Sequence, residues 1–155
     1  RIIKKALGGI CLFNMCGYGE TLIPDDIIPI ISAILEQGHY LWIVTNGLLT
    51  KRFKTLMELP QNLKNRLAFK LSFHYRELIR TGQMEIFWDN VKLVQKNGCS
   101  FSIELTPTDE LIPYIEEIKK EVRPFQLNKN FIFETCPAVS VIFIILSDEF
   151  GYNTD

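Results

Sequence analysis

Short apolar runs alternate with amphipathic segments along most of this chain. Strand-like runs cover residues 10–16, 40–45, 67–73 and 100–106, and segments with helical spacing follow them at about residues 25–38, 50–59, 84–96 and 109–122. Two further strand candidates lie at residues 130–134 and 139–146. In the segment after Asp25, apolar residues recur at helical intervals (Ile27, Ile31 and Leu35), and Gly38 suits the end of that helix. Strands that alternate with helices of about a dozen residues predict βαβ units and a parallel sheet, so the chain is expected to be an α/β protein.

The third and fourth strands differ from the second in the polarity of their faces. Residues 40–45 are almost continuously apolar, as expected for a strand that a parallel sheet buries on both sides. Residues 67–73 and 100–106 alternate instead, and their polar face carries Lys70, Ser72, His74, Ser102 and Glu104. Two strands with a polar face favour an open or partial barrel, whose interior can hold a polar ligand, over a sheet that is covered on both sides.

Composition excludes several classes of function. The chain has 155 residues, is 47% hydrophobic and carries a net charge of −1, which indicates one globular domain with enough chain for a core. No basic surplus points to nucleic acid. The longest mostly apolar run, residues 139–146, is far shorter than the roughly 20 residues needed to cross a bilayer, so no membrane association is expected.

The four cysteines are scattered, at positions 11, 16, 99 and 136. Their spacing fits neither a disulfide framework nor a zinc site. We therefore expect reduced thiols in a cytoplasmic protein, with no metal ligands in this chain.

Polar residues collect where the predicted strands end. Glu20 follows the Gly17-Tyr18-Gly19 turn after the first strand, and Asn46 follows the second; Ser72 and His74 end the third, and Glu104 lies near the end of the fourth. Ligands of α/β proteins bind at the carboxyl ends of parallel strands, which makes these residues candidates for a binding site. The alternative for Glu20 is a solvated carboxylate in a tight turn, and the alternative for Ser72 and His74 is a structural role.

Three further side chains are predicted to have structural roles only. His39 follows Gly38 in a helix-to-strand turn and is expected on the solvent side. Trp42 and Trp88 are expected to pack in the core or between helices.

The stretch GYGETLIPDDIIPIISAILEQGHYLWIVTNG, residues 17–47, resembles the second and third strand units of radical S-adenosylmethionine (SAM) enzymes. In that family the second strand ends in a Gly-Gly-Glu-Pro motif, which reads Tyr18-Gly19-Glu20-Thr21 here. The resemblance extends to about Val122. It implies that residues 1–122 form the core of a partial parallel (β/α) barrel of the radical SAM type that lacks the first strand. Residues 123–155 would be C-terminal strands of the same domain or a truncated remainder.

The resemblance also implies roles for the candidate residues. Glu20 and the backbone of Tyr18 and Gly19 would hold the ammonium of SAM, and Ser72 would contact its ribose. Glu104 would contact the methionine part or the ribose. Asn46 and His74, at the ends of neighbouring strands, complete the expected cofactor-binding set.

The cluster-binding motif of that family is absent from this sequence. The family binds a [4Fe-4S] cluster through Cys-x3-Cys-x2-Cys after its first strand. Either the cluster ligands lie upstream of Arg1, which the missing Met and the truncated first helix favour, or the chain is a degenerate relative without the motif. In both cases the chain is expected to be inactive alone, with no catalytic residue of its own. In the intact enzyme an electron donor such as flavodoxin or ferredoxin would supply an electron to the cluster. Reductive cleavage of SAM would then start radical chemistry on an unknown small-molecule or peptide substrate.

Two other functions remain open on the sequence alone. Residues 43–47, Ile-Val-Thr-Asn-Gly, also resemble the second motif of haloacid-dehalogenase-type phosphatases, but the preceding strand ends in Asn14-Met15-Cys16-Gly17 without the required Asp-x-Asp. A non-catalytic, flavodoxin-like nucleotide-binding module is the other alternative. It would be favoured if Ser72 and Glu104 pointed into apolar packing, or if the sheet were flat and covered on both faces.

Overall fold

The computed structural model describes residues 5–6, 8–106 and 108–125. Four strands and six helices with defined bounds follow one another along this part of the chain. They are β1 (Leu12–Met15), α1 (Ile27–Glu36), β2 (Tyr40–Thr45), α2 (Thr50–Met57), α3 (Gln61–Lys64), β3 (Leu67–Ser72), α4 (Tyr75–Thr81), α5 (Met84–Lys96), β4 (Ser100–Glu104) and α6 (Ile115–Val122). Two 3₁₀ helices, Asp109–Tyr114 and Arg123–Phe125, flank α6.

The four strands form one parallel sheet in the order β1-β2-β3-β4. Strand order therefore follows chain order, and each connection between neighbouring strands contains at least one helix. The predicted α/β class with a parallel sheet is confirmed.

One face of this sheet is buried against the helices. Alternate strand residues such as Leu41, Phe69 and Phe101 are buried in a single apolar cluster. The same cluster contains residues of α1, α2 and α5, among them Ile31, Leu35, Phe53, Leu56, Phe87 and Val91. Burial of these side chains is the main favourable contribution to the stability of the sheet and its helices.

The opposite face of the sheet, called here the open face, is not covered by any described helix. It carries Leu12 and Asn14 of β1, Tyr40, Trp42 and Val44 of β2, Ala68, Lys70 and Ser72 of β3, and Ser100, Ser102 and Glu104 of β4. Only Ser102 among these residues is buried. The alternation predicted for β3 is thus confirmed, since Leu67, Phe69 and Leu71 point into the core while Lys70 and Ser72 do not. In β4 the alternation is interrupted, because Ser102 is buried together with Phe101 and Ile103.

Some local predictions differ from the structure. The short helix α3 was not predicted, and of α4 the sequence indicates only the start, at residues 75–77, with a substrate contact as the alternative. The segment from Asp109 begins as a 3₁₀ helix with Pro113 inside it and becomes α-helical only at Ile115. The backbone nitrogen of Pro113 has no hydrogen to donate, so it cannot join an α-helical hydrogen-bond ladder. The strands expected at residues 130–134 and 139–146 lie outside the described residues.

Two single-residue expectations were wrong. His39 is buried, because its Nδ1 accepts a hydrogen bond from the backbone N–H of Cys11 at 3.1 Å and its ring packs edge-on against Phe13. Trp42 is 41% exposed on the open face, whereas Trp88 is buried as expected.

Among the described residues no helix combines the length and the apolar character that a bilayer crossing requires.

Candidate functional site

The Glu20 carboxylate joins the loop after β1 to the end of β2. Its Oε1 accepts hydrogen bonds from the Thr45 hydroxyl at 2.7 Å and from the backbone N–H of Leu22 at 3.0 Å, and its Oε2 accepts one from the backbone N–H of Asn46 at 2.7 Å. We call this arrangement of Glu20, Leu22, Thr45 and Asn46 the Glu20 clasp. Three donors on one carboxylate hold two βα loops in a fixed relation at the carboxyl edge of the sheet.

The loop that precedes Glu20 faces solvent. Gly17, Tyr18 and Gly19 are all exposed, and Gly19 has φ of 102°, a conformation that favours glycine. The carbonyl oxygens of these three residues accept no hydrogen bond from the part of the chain that the structure describes. They are therefore free to accept hydrogen bonds from an external donor such as an ammonium group.

The turn after β2 is built from Asn46 and Gly47. The Asn46 Oδ1 accepts a hydrogen bond from the backbone N–H of Leu48 at 3.0 Å, so this side chain is used to shape the turn. Gly47 has φ of 77°, and a Cβ added there would lie 2.8 Å from Cδ2 of Phe87. The turn and helix α5 consequently pack as closely as glycine allows.

Ser72 and Glu104 are neighbours on the open face. They are register partners at the carboxyl ends of β3 and β4, and both are partly exposed. The Glu104 Oε1 lies 3.1 Å from Nζ of Lys70 and accepts a hydrogen bond from the Ser102 hydroxyl at 3.3 Å. The Nζ of Lys70 also lies 5.7 Å from the centre of the Trp42 ring, within the range of a cation–π contact.

His74 lies apart from these residues. Its side chain is exposed, and it lines a cavity of about 490 Å³ between the segments that follow β3 and β4. Arg76 and Arg80 also line this cavity, but Arg76 contacts Glu110 and Arg80 is held by both carboxylate oxygens of Glu77. The hydrogen bond from Arg80 keeps the pKa of Glu77 below its ordinary value.

The predicted residues thus form two groups and one separate member. Glu20 and Asn46 meet in the Glu20 clasp, together with the loop that contains Tyr18 and Gly19. Ser72 and Glu104 meet on the open face.

Sequence reasoning did not single out Lys70 as a site residue. The alternation of β3 already placed it on the same face as Ser72, and the next strand placed Glu104 on that face, so the signal was present.

The described residues contain no group of three or more His, Cys, Asp or Glu side chains that could hold a metal ion. Cys11, Cys16 and Cys99 are free thiols. Burial raises the pKa of the Cys99 thiol to about 11, which disfavours the thiolate form that metals bind. These cysteines do not fit a [4Fe-4S] cluster.

Comparisons of this chain with protein-family models, with curated proteins and with solved structures find no match.

Proposed function

We propose that this chain forms the SAM-binding part of a radical SAM enzyme, built as part of a parallel (β/α) barrel. The observation that carries the proposal is the open face of the sheet. A sheet with sequential strand order and all its helices on one face can close into a barrel. The face without helices then points to the interior of the barrel. The part of that side formed by β3 and β4 carries an ion pair and hydroxyl groups.

The fit of SAM to the described residues rests on its charged groups. The exposed carbonyl oxygens of Gly17, Tyr18 and Gly19 would accept hydrogen bonds from its ammonium, and the Glu20 clasp would hold those carbonyls in place. Ser72 would bind a hydroxyl group of the ribose from the open face. In this arrangement Glu20 and Asn46 position the binding loop and do not themselves contact the cofactor.

The iron–sulfur part of the activity has no counterpart in the described residues. SAM, when bound, would supply the radical precursor, while the residues above bind and orient it. A cluster would have to be held by a segment outside the described residues, so no redox step is assigned to the chain itself.

The two alternative functions have less support. A flavodoxin-like module would be favoured by Ser72 and Glu104 in apolar packing, but Glu104 contacts Lys70 and Ser102 on a partly exposed surface. A haloacid-dehalogenase-type phosphatase needs an aspartate nucleophile after an early strand, and β1 is followed by Cys16 and Gly17.

The test is to read the coding DNA upstream of Arg1 and to produce the protein encoded by the whole reading frame. We expect an in-frame Cys-x3-Cys-x2-Cys motif and, after anaerobic reconstitution with iron and sulfide and reduction with dithionite, release of 5′-deoxyadenosine from SAM. A reading frame without such a motif, whose product releases no 5′-deoxyadenosine, would contradict the proposal. For the present chain alone we expect weak or no SAM binding by calorimetry.

A further inference from the structure

An ion pair stands on the open face of the sheet, away from its helices. Lys70 is on β3 and Glu104 is on β4, and their side chains are 28% and 36% exposed. Strands of a parallel sheet are usually apolar on both faces, so a lysine and a carboxylate at these positions need a separate explanation. A partly exposed ion pair contributes little to stability, which makes a purely structural explanation weak.

The ion pair keeps unused hydrogen-bonding capacity. Both contacts to the Glu104 carboxylate, from Lys70 and from Ser102, use Oε1, which leaves Oε2 without a partner among the described residues. An ammonium has three N–H donors, and a single carboxylate oxygen uses only part of that capacity. One free acceptor and at least one free donor of opposite charge therefore lie side by side, with the Ser72 hydroxyl on the same face.

The charge pattern selects the class of ligand. A purely anionic ligand would be repelled by Glu104 and a purely cationic one by Lys70. An apolar covering segment would bury the ion pair at a high desolvation cost. A ligand with an ammonium and a carboxylate group attached to the same carbon atom matches both Glu104 and Lys70. The α-amino acid group is such a ligand group.

We propose that Lys70 and Glu104 form a binding site for the α-amino acid group of a substrate. The substrate carboxylate accepts hydrogen bonds from Lys70, its ammonium donates to Oε2 of Glu104, and its side chain lies over the indole ring of Trp42. The identity of this molecule as the radical acceptor rests on the proposed function, whereas the binding site itself does not. SAM carries the same α-amino acid group, so SAM that binds at least as tightly as L-methionine and is weakened by Lys70→Gln would assign the site to the cofactor instead of a substrate.

The test follows the indole N–H signal of Trp42 by NMR while three compounds are added separately. These are L-methionine, 3-(methylthio)propylamine, which lacks the carboxylate, and SAM. We expect L-methionine to shift the Trp42 signal in a saturable way. The amine should bind at least about tenfold more weakly than L-methionine, because it loses a charge-assisted hydrogen bond. The Trp88 signal serves as an internal reference, since that side chain is buried.

Variants locate the binding to the ion pair. Lys70→Gln and Glu104→Gln should each weaken L-methionine binding by about tenfold or more, while Lys70→Arg should retain it because the charge remains. Lys92→Gln is the matched control, since Lys92 is an exposed lysine paired with Asp89 on α5 and lies outside the site. Circular dichroism of each variant shows that it is folded, and Glu104→Gln carries the test if Lys70→Gln does not fold.

The outcomes distinguish the two proposals. Absence of any L-methionine-dependent shift, or unchanged binding in both Lys70→Gln and Glu104→Gln, would overturn the amino acid site even if SAM binds. L-methionine binding that depends on Lys70, in a protein whose full reading frame lacks the cysteine motif, would leave the amino acid site standing without the proposed function.

Discussion

Glu20 shows how one side chain can serve the fold at a position where a ligand contact was expected. A carboxylate in a glycine-rich turn can point to an external ammonium or to the donors of its own chain, and the sequence does not distinguish the two. In the structure Glu20 accepts hydrogen bonds from Leu22, Thr45 and Asn46. The donors that decide its orientation come mostly from the next strand, 25 and 26 positions along the chain, which no local pattern reveals.

Replacing Glu20 by Gln should destabilise the protein by about 1–3 kcal/mol, because one of the bonded oxygens becomes an NH₂ group that faces a donor. The measurement is urea unfolding of Glu20→Gln against the wild type. Glu36→Gln is the control, since Glu36 is exposed at the end of α1 and should cost only a few tenths of a kcal/mol. Equal stability of Glu20→Gln and the wild type would show that the Glu20 clasp is not formed in solution.

A second prediction at this scale concerns the turn at Gly47. Gly47→Ala should cost about 2–4 kcal/mol, because alanine is strained at φ of 77° and its Cβ would lie 2.8 Å from the buried Phe87 ring. Gly82→Ala has φ of 66° but no atom within 4 Å of the added Cβ, so it should cost only about 1–2 kcal/mol. Both values come from urea unfolding, and equal values for the two variants would contradict the close packing of Phe87 on the turn.

At the scale of elements, helix α4 is joined to α6 by a hydrogen bond that no sequence pattern indicates. The Tyr75 hydroxyl donates to Oε2 of Glu117 at 2.7 Å across 42 positions of the chain. Burial, followed by the hydrogen bond to Glu117, raises the pKa of Tyr75 to about 12. The folded protein therefore holds the phenol proton more tightly than the unfolded chain does.

This contact predicts a loss of stability at high pH. The folded state binds more protons than the unfolded state between the ordinary tyrosine pKa and the raised one, so stability falls as pH rises from about 10 to about 12. Over this pH range the free energy of unfolding should fall by about 2–3 kcal/mol through Tyr75. Urea unfolding across this pH range should show a steeper fall for the wild type than for Tyr75→Phe, and parallel curves for the two proteins would contradict the contact.

The elements that the sequence predicted correctly are those with long, regular patterns. The bounds of β2 agree with prediction because its residues are almost continuously apolar, and α5 agrees because its apolar spacing ends at Asn97 and Gly98. The short helices α3 and α4 span four and seven residues, too few for an apolar period to be recognised. His39 was misplaced because its burial depends on a hydrogen bond to Cys11 from a different part of the chain.

The candidate site was predictable to the level of strand ends and faces. Alternation along β3 and β4 placed Ser72 and Glu104 on one face, and the structure makes them register partners. The ion pair between Lys70 and Glu104 depends on the relative register of two strands, which parallel pairing leaves undetermined until the helices between them are packed. Side-chain partners were therefore beyond sequence reasoning even where the face was correct.

At the scale of the whole molecule, apolar side chains are exposed near the β1 edge of the open face. Leu12 is 55% exposed and Tyr40 is 49% exposed, and β1 pairs only with β2 among the described strands. An apolar edge strand with free backbone groups is a common route to self-association.

Leu12→Lys should therefore raise the protein concentration at which the chain associates, with a change in unfolding free energy below about 1 kcal/mol, because the Leu12 side chain is already largely exposed. Sedimentation velocity over a concentration series is the measurement. Lys92→Gln on the helical side is the control and should not reduce association. Equal association of Leu12→Lys and the wild type would show that the β1 edge is not the surface involved.

The sequential strand order also determines how this architecture can grow. Because every strand is added next to its predecessor and every described helix lies on the same side, a further strand–helix unit can be joined at β4 without moving the four existing strands. Among the described strands β4 pairs only with β3, so chimeras in which strand–helix units from closed barrels replace residues 126–155 have a defined edge on which to pair.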